Sequence, residues 1–542
     1  MKKIPEKCEI LRCYPVFNQR GLFSHTRTTG GFQVNNILPR WLINYKRRMD
    51  RRLDKTNVRG CSQPMFTASN IHYDVSQRCH GLAYGGLGAI HLLARQLGLP
   101  EAIDQSLHLL VIHLPYHESD HVLNMAYLPI CGGTCLQDLE ILRNDEHYLD
   151  ALGARRIPDP TTAGDFCRRF NRDHLSTLMD VIDEARLHVW AYQPRDFFAR
   201  AILDMDGSLV ATTGQCKQGM DIAYDGTWGY HPLILTLANT NEVLRLINRS
   251  GNRPSHEGAA AEVDQALDLC FRGGFRQVLL RGDTDFSQTE HLDRWDADPR
   301  IRFLFGYDAM PNLEAIAEDL PAPSWQPLER PTPYEVKTQP RCRPDNVKED
   351  IVIKREYENQ RLQGEMVAEF SYQPTACGKA YRMVVLRKNI SVHKGEKLLF
   401  DNVRYFFFIT NDYSLSAAEV VLLANERCNQ ENVLSQLHSG VCALSAPLDS
   451  LESNWAYMLM TALGWNLKAW WALMLPVASG RWQEKHSKEK QWVLGMEFKT
   501  FVNAFVRIPC QVIRTGRKLI YRLLGGNPYL SIFFRLLGAL RC

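Results

Sequence analysis

The stretch VLLRGDTDFSQ, Val278 to Gln288, sets an apolar run directly before a charged turn. The run is typical of a buried strand, and it ends on Asp283, with a second carboxylate, Asp285, two residues later. Asp and Gly are common where strands end, because the Asp side chain accepts hydrogen bonds from nearby backbone N–H groups. A turn therefore explains this segment taken alone. A functional role for Asp283 requires that other carboxylates reach the same place in the fold.

The composition is that of a globular protein. A chain of 542 residues with 45% hydrophobic and 23% charged residues predicts two or three folded domains. The net charge of +4, from 64 Lys and Arg against 60 Asp and Glu, is too small to indicate nucleic-acid binding by itself. The 15 cysteines form no CxxC pair, so we expect reduced thiols.

Two apolar segments bear on the cellular compartment. The start, MKKIPEKCEILRCYPVF, has no uninterrupted apolar core and does not predict a signal peptide. The segment from Tyr457 to Leu475 contains Asn466 and Lys468 and precedes Pro476, so it predicts a buried helix and not a membrane span. We therefore expect a cytoplasmic protein without a membrane partner.

Basic residues concentrate in two segments, Arg40 to Lys55 and the tail from Phe498 to Arg541. Both suit contact with a phosphate backbone. A solvated helix face explains each of them equally well when taken singly.

Changes in sequence pattern divide the chain into six parts. Helical spacing of apolar residues marks the second part, and alternating stretches after a Pro-rich approach mark the fourth. The predicted parts are a basic N-terminal extension (1–80), a helical domain (81–193), the first part of a mixed-sheet core (194–320), a β-rich insertion subdomain (321–402), the second part of the core (403–480) and a basic helical tail (481–542).

The region after Pro194 predicts the fold class. Three short strands, a helix, a fourth strand ending at Asp283, a fifth strand from Ile301 and a further helix follow one another. A helix that leads back to another strand is typical of a crossover unit. This order is that of an α/β, RNase H-like mixed-sheet core. One long helix is expected after Ser416, which is a plausible N-cap.

In this order the first and fourth strands are neighbours, so acids on them lie side by side. Asp206, in LDMDGS, is the first acid and Asp283 is the second. Asp204 points to the same face but deeper, and it ranks behind Asp206. Asp285 is expected to be a turn residue.

The third candidate acid is Glu431, on the helix after Ser416. Arg427, Glu431 and His438 fall within about 40° of one another at 100° per residue, so they share a helix face. The alternative is an Arg–Glu pair at i, i+4 that only stabilises an exposed helix.

These elements together resemble the DDE transposases of bacterial insertion sequences, in the group with a Tyr-x2-Arg-x3-Glu-x6-Lys signature and its branch called transposase DDE domain group one. The resemblance extends from about Gly81 to the C-terminal tail. The segments that carry it are LQDLEILRND, IPDPTTAGDFCRRF, LDMDGS, GYHPLILTLANT, NRSGNR, RGDTDF, RCNQE and GWNLKAWW. Ala424 stands at the signature Tyr, His438 at the Lys, and Gly207 and Ser208 near the first Asp, where Ser or Thr is usual.

The resemblance implies cut-and-paste transposition by metal-dependent cleavage and strand transfer at terminal inverted repeats. Asp206, Asp283 and Glu431 would hold two Mg²⁺ ions, for which Mn²⁺ can substitute. Arg427 would position the phosphate, and His438 would contact phosphate when protonated.

The resemblance also implies DNA contacts away from the three acids, with residues 81–193 as a helical DNA-binding domain. Arg168, Arg169 and Arg172 are candidate backbone contacts, with a solvated helix face as the alternative. Trp325 is a candidate aromatic for a hairpin intermediate, or else a hydrophobic anchor. The expected partners are terminal-repeat and target duplex DNA and a second copy of the chain in a homodimer, acting at the bacterial nucleoid.

Two rival functions keep the same residues. A related nuclease would cleave DNA without joining it, and a transposon-derived DNA-binding protein would bind without cleaving. Because Ala424 and His438 depart from the signature, the second rival stays an alternative. A glycosidase would use paired acids, but it fits neither the strand order nor the basic regions.

Overall fold

The computed structural model describes residues 40–53, 68, 71–73, 81–331, 351, 354–355 and 358–540, except 114, 215, 395–396, 517 and 525–526. Most of the expected N-terminal extension therefore lies outside the described residues. Within it, the basic cluster forms helix α1, Arg40–Leu53. Arg47, Arg48, Arg51 and Arg52 are exposed on this helix.

Residues 81–193 are helical, as predicted from their apolar spacing. A short strand, β1 (Gly81–Leu82), comes first. The helices that follow are α2 (Leu87–Gln96), α3 (Leu99–Ser106), α4 (Glu118–Ile130), α5 (Leu139–Arg143), α6 (Glu146–Leu152), α7 (Pro160–Cys167) and α8 (Arg172–Ala191).

The strands after Pro194 build the predicted core. They are β2 (Ala201–Gly207), β3 (Val210–Ala211), β4 (Asp221–Ile222), β5 (Trp228–Tyr230), β6 (Leu233–Leu237), β7 (Glu242–Ile247), β8 (Val278–Gly282) and β9 (Ile301–Tyr307), with helices α9 (Ala259–Gly273), α10 (Thr289–Asp296) and α11 (Pro311–Asp319). The five core strands lie in the order β7-β6-β2-β8-β9, with β2, β8 and β9 parallel to one another. This is the RNase H-like order that the sequence predicts. The first connection also holds a small separate sheet, β3-β5-β4.

The β-rich segment does not form the separate subdomain that the sequence suggests. Its strands are β10 (Gln326–Pro327), β11 (Glu358–Tyr372), β12 (Tyr381–Lys394) and β13 (Lys397–Thr410). They extend the core to a single nine-stranded sheet, because β13 pairs antiparallel with β9. The expected boundary at residue 402 falls inside β13. Pairing with β13 covers the edge of β9, which would otherwise expose its backbone groups.

The single helix expected after Ser416 is two helices, α12 (Ala417–Asn425) and α13 (Cys428–Ser439). Ser416 is the N-cap, as predicted, since its side chain accepts from the backbone N–H of Glu419. The break falls at Glu426 and Arg427.

The apolar segment at 457–475 lies within a buried helix, α14 (Leu451–Leu473), as its polar residues predict. It packs on α4, α8 and β7. Asn466 donates to the Val243 carbonyl at 3.0 Å and accepts from its N–H at 2.9 Å, which satisfies the outer edge of β7. No helix among the described residues is long and apolar enough to cross a membrane.

The C-terminal part is not the helical tail that we expected. Helices α15 (Gln483–Leu494), α16 (Phe498–Phe501) and α17 (Leu530–Leu540) flank a hairpin of β14 (Cys510–Thr515) and β15 (Lys518–Leu523). Strand β14 pairs with β1, and the Tyr521 hydroxyl donates to the Ala151 carbonyl at 2.8 Å. The alternating pattern of CQVIRT and KLIYRL around Gly516 is typical of a hairpin. The basic residues of this segment do not by themselves distinguish a hairpin from a helix.

Candidate active site

Asp206 and Asp283 lie at the ends of two neighbouring parallel strands. Strands β2 and β8 pair in register from Ala201 with Val278 to Asp204 with Arg281, so Asp206 and Asp283 follow at the same level. Arg427 lies between them: its guanidinium nitrogens are 3.1 Å from the Asp206 carboxylate and 3.5 Å from the Asp283 carboxylate. The structure thus brings together three of the predicted site residues.

This pair of carboxylates is electrostatically unfavourable without a cation. Burial raises the pKa of Asp206 to about 6; Arg427 opposes the rise and the charge of Asp283 adds to it. Burial also raises the pKa of Asp283, against the effect of Arg427. Two half-buried oxygen donors that favour positive charge fit a hard divalent ion such as Mg²⁺.

Asp204 is not available as a ligand. Arg281 binds it through two hydrogen bonds, at 2.6 and 2.7 Å, and both side chains are buried. The same guanidinium donates to the Leu423 carbonyl at 2.8 Å, in the last turn of α12. Arg281 therefore joins the strand pair to the break between α12 and α13, the point from which Arg427 reaches the acids.

Gln430 binds helix α13 to strand β2. Its amide donates to the carbonyls of Asp204 at 3.0 Å and Ile234 at 3.2 Å. Glu431 is the next residue, in the first turn, and its side chain is exposed. Within the described part of the chain, no three His, Cys, Asp or Glu side chains are grouped to hold a metal ion. Asp206 and Asp283 are therefore assembled at one place, and Glu431 does not complete a group of three acids with them.

Asp283 also shapes the turn at its own strand end. Its carboxylate accepts from the Asp285 N–H at 3.1 Å, and Asp285 itself is exposed. Gly306 on β9 lets this turn approach closely, because a Cβ there would lie 2.9 Å from the Thr284 nitrogen. The turn interpretation of the opening stretch therefore holds for Asp283, and its role as a metal ligand stays a prediction.

A family model described as transposase DDE domain group 1 matches residues 82–542. The chain belongs to this family. No curated protein matches it. Among solved structures, a cryo-EM structure of piggyBac transposase in a synaptic complex with hairpin DNA is similar at 10% identity, with a TM-score of 0.35 over 78% of this chain and 81% of that chain.

In this member of the transposase family, the residue at the signature Lys position contacts the first-strand turn. His438 Nε2 is 2.8 Å from the Ser208 hydroxyl, two residues beyond Asp206. Burial lowers the pKa of His438, so its imidazole is mainly neutral at pH 7. An ion pair between His438 and phosphate would require that the imidazole gain a proton.

The three arginines predicted to contact DNA differ in their surroundings. Arg168 pairs with Asp449 at 2.9 Å and Asp165 at 2.8 Å, so two carboxylates offset its charge. Arg169 is exposed and makes a 3.4 Å bond to the Leu109 carbonyl. The Arg172 side chain is 77% exposed, against 43% for Arg168, and lies 3.9 Å from the Glu452 carboxylate. Contact of these arginines with DNA stays a prediction.

The surroundings of Trp325 favour the alternative of a hydrophobic anchor. It is 7% exposed, and the Arg387 guanidinium lies over its ring at 4.5 Å. Sequence reasoning missed Phe406, which is 42% exposed on β13. Phe406 lines a cleft of about 360 Å³ together with Asp283 and Arg427. The run RYFFFITND predicts a strand, but the sequence does not show which of its aromatic side chains stays exposed to solvent in the folded protein.

Proposed function

We propose that this protein is a DNA transposase that cleaves the ends of its element and joins them to target DNA by divalent-metal chemistry. The observation that carries the proposal is the Asp206–Arg427–Asp283 cluster at adjacent strand ends of an RNase H-like sheet. Family membership over residues 82–542 supports the reaction class.

Asp206 and Asp283 would hold the metal, and Glu431 would supply the third carboxylate from α13. The metal, when bound, stabilises charge on the attacking and leaving oxygens of the phosphodiester. Glu431 follows Gln430, whose amide binds the Asp204 carbonyl, so the first turn of α13 lies next to the strand that carries Asp206. Mg²⁺ is the expected ion and Mn²⁺ a substitute, since all three donors are carboxylate oxygens.

Arg427 would bind the phosphate next to the scissile bond. Its planar guanidinium already spans both acids, and its fork matches phosphate oxygens. Phe406, and not Trp325, is the aromatic beside the acids that can stack on an unpaired base of a hairpin intermediate. Arg172 and Arg169 would contact the backbone of the terminal repeat, and two copies would act together as a homodimer.

The experiment is a cleavage and joining assay on a labelled DNA fragment that carries the element's own end. Native protein with Mg²⁺ should release the end, form a hairpin and join it to a plasmid. Asp283→Ala should do none of these, and Asp285→Asn, the matched acid in the same turn, should retain all three. Cleavage without joining would identify a nuclease instead.

A transposon-derived binding protein is the second candidate. It is favoured by the absence of a three-acid group among the described residues and by the lowered pKa of His438. It predicts specific binding of the element's end with no cleavage by native protein, in Mg²⁺ or in Mn²⁺.

A further inference from the structure

One face of the large sheet continues from the acids to the distal part of β11, β12 and β13. Asp283 follows Gly282, which pairs with Phe305, and Gly306 pairs in turn with Phe408. Phe408 and Leu304 pack with α12 on the same face as Leu279 of β8. Side chains alternate along a strand, so Phe406 and Arg404 also belong to this face.

Helix α12 covers only the proximal part of the face. Its Val420 and Val421 pack against Val367, Val384 and Leu386. Phe406 lies opposite Leu386 on the neighbouring strand, and the next pair on this face is Arg404 and Lys388. We call Lys388, Arg404 and Phe406 the distal face. The cleft of about 360 Å³, lined by Asp283, Arg427 and Phe406 and by the end of α12, leads from Asp283 to the distal face.

The distal face carries an unfavourable pair of like charges. Arg404 and Lys388 are direct cross-strand partners on β13 and β12. Like charges directly opposite one another in an antiparallel pair destabilise it, whereas an anion bound to both would remove the repulsion. Arg404 is exposed and has no carboxylate partner among the described residues. Lys388 lies 4.9 Å from the Phe406 ring centroid, which holds its ammonium beside the exposed aromatic.

The nearest carboxylate does not neutralise this pair. Glu365 is 3.6 Å from Lys388, but Arg330 binds it more closely, at 2.5 and 2.8 Å. Two cations, Arg330 and Lys388, therefore share the Glu365 carboxylate. Arg404 adds a third positive charge beside them, so an excess of positive charge remains on this exposed surface.

We propose that the distal face binds the phosphate backbone of the duplex DNA that flanks the cleavage point. This proposal rests on the proposed function, because it takes the scissile phosphate to lie at Asp206 and Asp283. At about 4.8 Å per strand and 3.3 Å per residue, Arg404 lies roughly 16 Å from Asp283. That is about five base pairs of B-form DNA at ~3.4 Å per step, a distance that flanking duplex reaches without bending.

The test compares the salt dependence of DNA binding by two double variants of the full chain. Lys388→Gln/Arg404→Gln removes both distal charges and keeps the side-chain stems that pack on the sheet. Arg195→Gln/Arg276→Gln is the matched control. Both arginines are exposed, and they come before the first residues of β2 and β8, at the strand ends away from the acids. Affinity is measured in metal-free buffer across a KCl series, on a labelled duplex that contains the element's end and flanking DNA and on a random-sequence duplex.

The expected result is a salt slope reduced by about 2 and an affinity roughly tenfold weaker at low salt for the distal variant alone. A slope that is unchanged in the distal variant, or reduced equally in the control, would overturn the proposal. Melting curves of both variants that match the native curve exclude a folding defect as the cause. Failure of the proposed function is a separate outcome: native protein would then show no cleavage, while the random-sequence duplex would still report on the distal face.

Discussion

At the scale of single residues, Asp206 determines how the site responds to pH. Its folded pKa of about 6 lies above the value of about 3.9 for an unfolded chain, so the folded state binds the proton more tightly. The stability that this group contributes is complete below pH 4 and is lost as the pH rises through 6.

The corresponding prediction concerns Asp206→Asn, which mimics the protonated acid. In metal-free buffer the variant should be the more stable protein at pH 7.5 by up to about 3 kcal/mol, and close to native at pH 4, since two pKa units correspond to about 2.7 kcal/mol. Urea denaturation at both pH values measures the difference. An equal stability difference at the two pH values would contradict the assignment.

At the scale of secondary structure elements, the break between α12 and α13 is the feature on which the site depends. Arg281 binds Asp204 and the Leu423 carbonyl, and the break leaves Arg427 directed at the acids. Arg281→Met should lose roughly 3–5 kcal/mol of folding free energy, because it leaves a buried carboxylate unpaired.

The double variant Asp204→Asn/Arg281→Met provides the control for this prediction. It removes the buried charge as well, so it should recover part of the loss in urea denaturation. Additive losses from the two single substitutions would show that the pair does not act as a unit.

The elements also show how much the sequence could predict. The strands that carry Asp206 and Asp283 follow from apolar runs with turn residues at their ends, and their pairing follows from the strand order. The break at Arg427 does not follow from the sequence, because the residues of α12 and α13 form one apolar pattern. Arg281, which binds the last turn of α12, is 142 positions from Leu423 in the sequence. The exposure of Phe406 and the burial of Trp325 likewise depend on contacts between distant segments.

At the scale of the whole molecule, the C-terminal hairpin and α17 complete the helical region near the N-terminus. Arg514 pairs with Asp150 at 3.2 Å, and β14 pairs with β1. Several apolar side chains of this part are buried: Cys510, Val512, Leu530, Ile532, Phe533 and Leu536. At about 1.5–3 kcal/mol each for the larger ones, their burial is comparable with the stability of a domain.

A chain that ends after Ile508 should therefore lose the folded helical region and retain the sheet. Hydrogen exchange measures this: amides of α2 and α6 should lose protection, while those of β2 and β8 keep it. Unchanged protection in α2 and α6 would mean that these helices stay folded without the C-terminal part.

Asp206 and Asp283 are proposed to hold the catalytic metal together. The decisive measurement is Mn²⁺ binding, followed by electron paramagnetic resonance with the element's end bound. Native protein and Asp285→Asn should bind Mn²⁺ alike, whereas Asp206→Asn and Asp283→Asn should each weaken binding at least tenfold, since each removes one of the few charged ligands. Equal Mn²⁺ affinity in all four proteins would mean that the metal does not bind to this pair of acids.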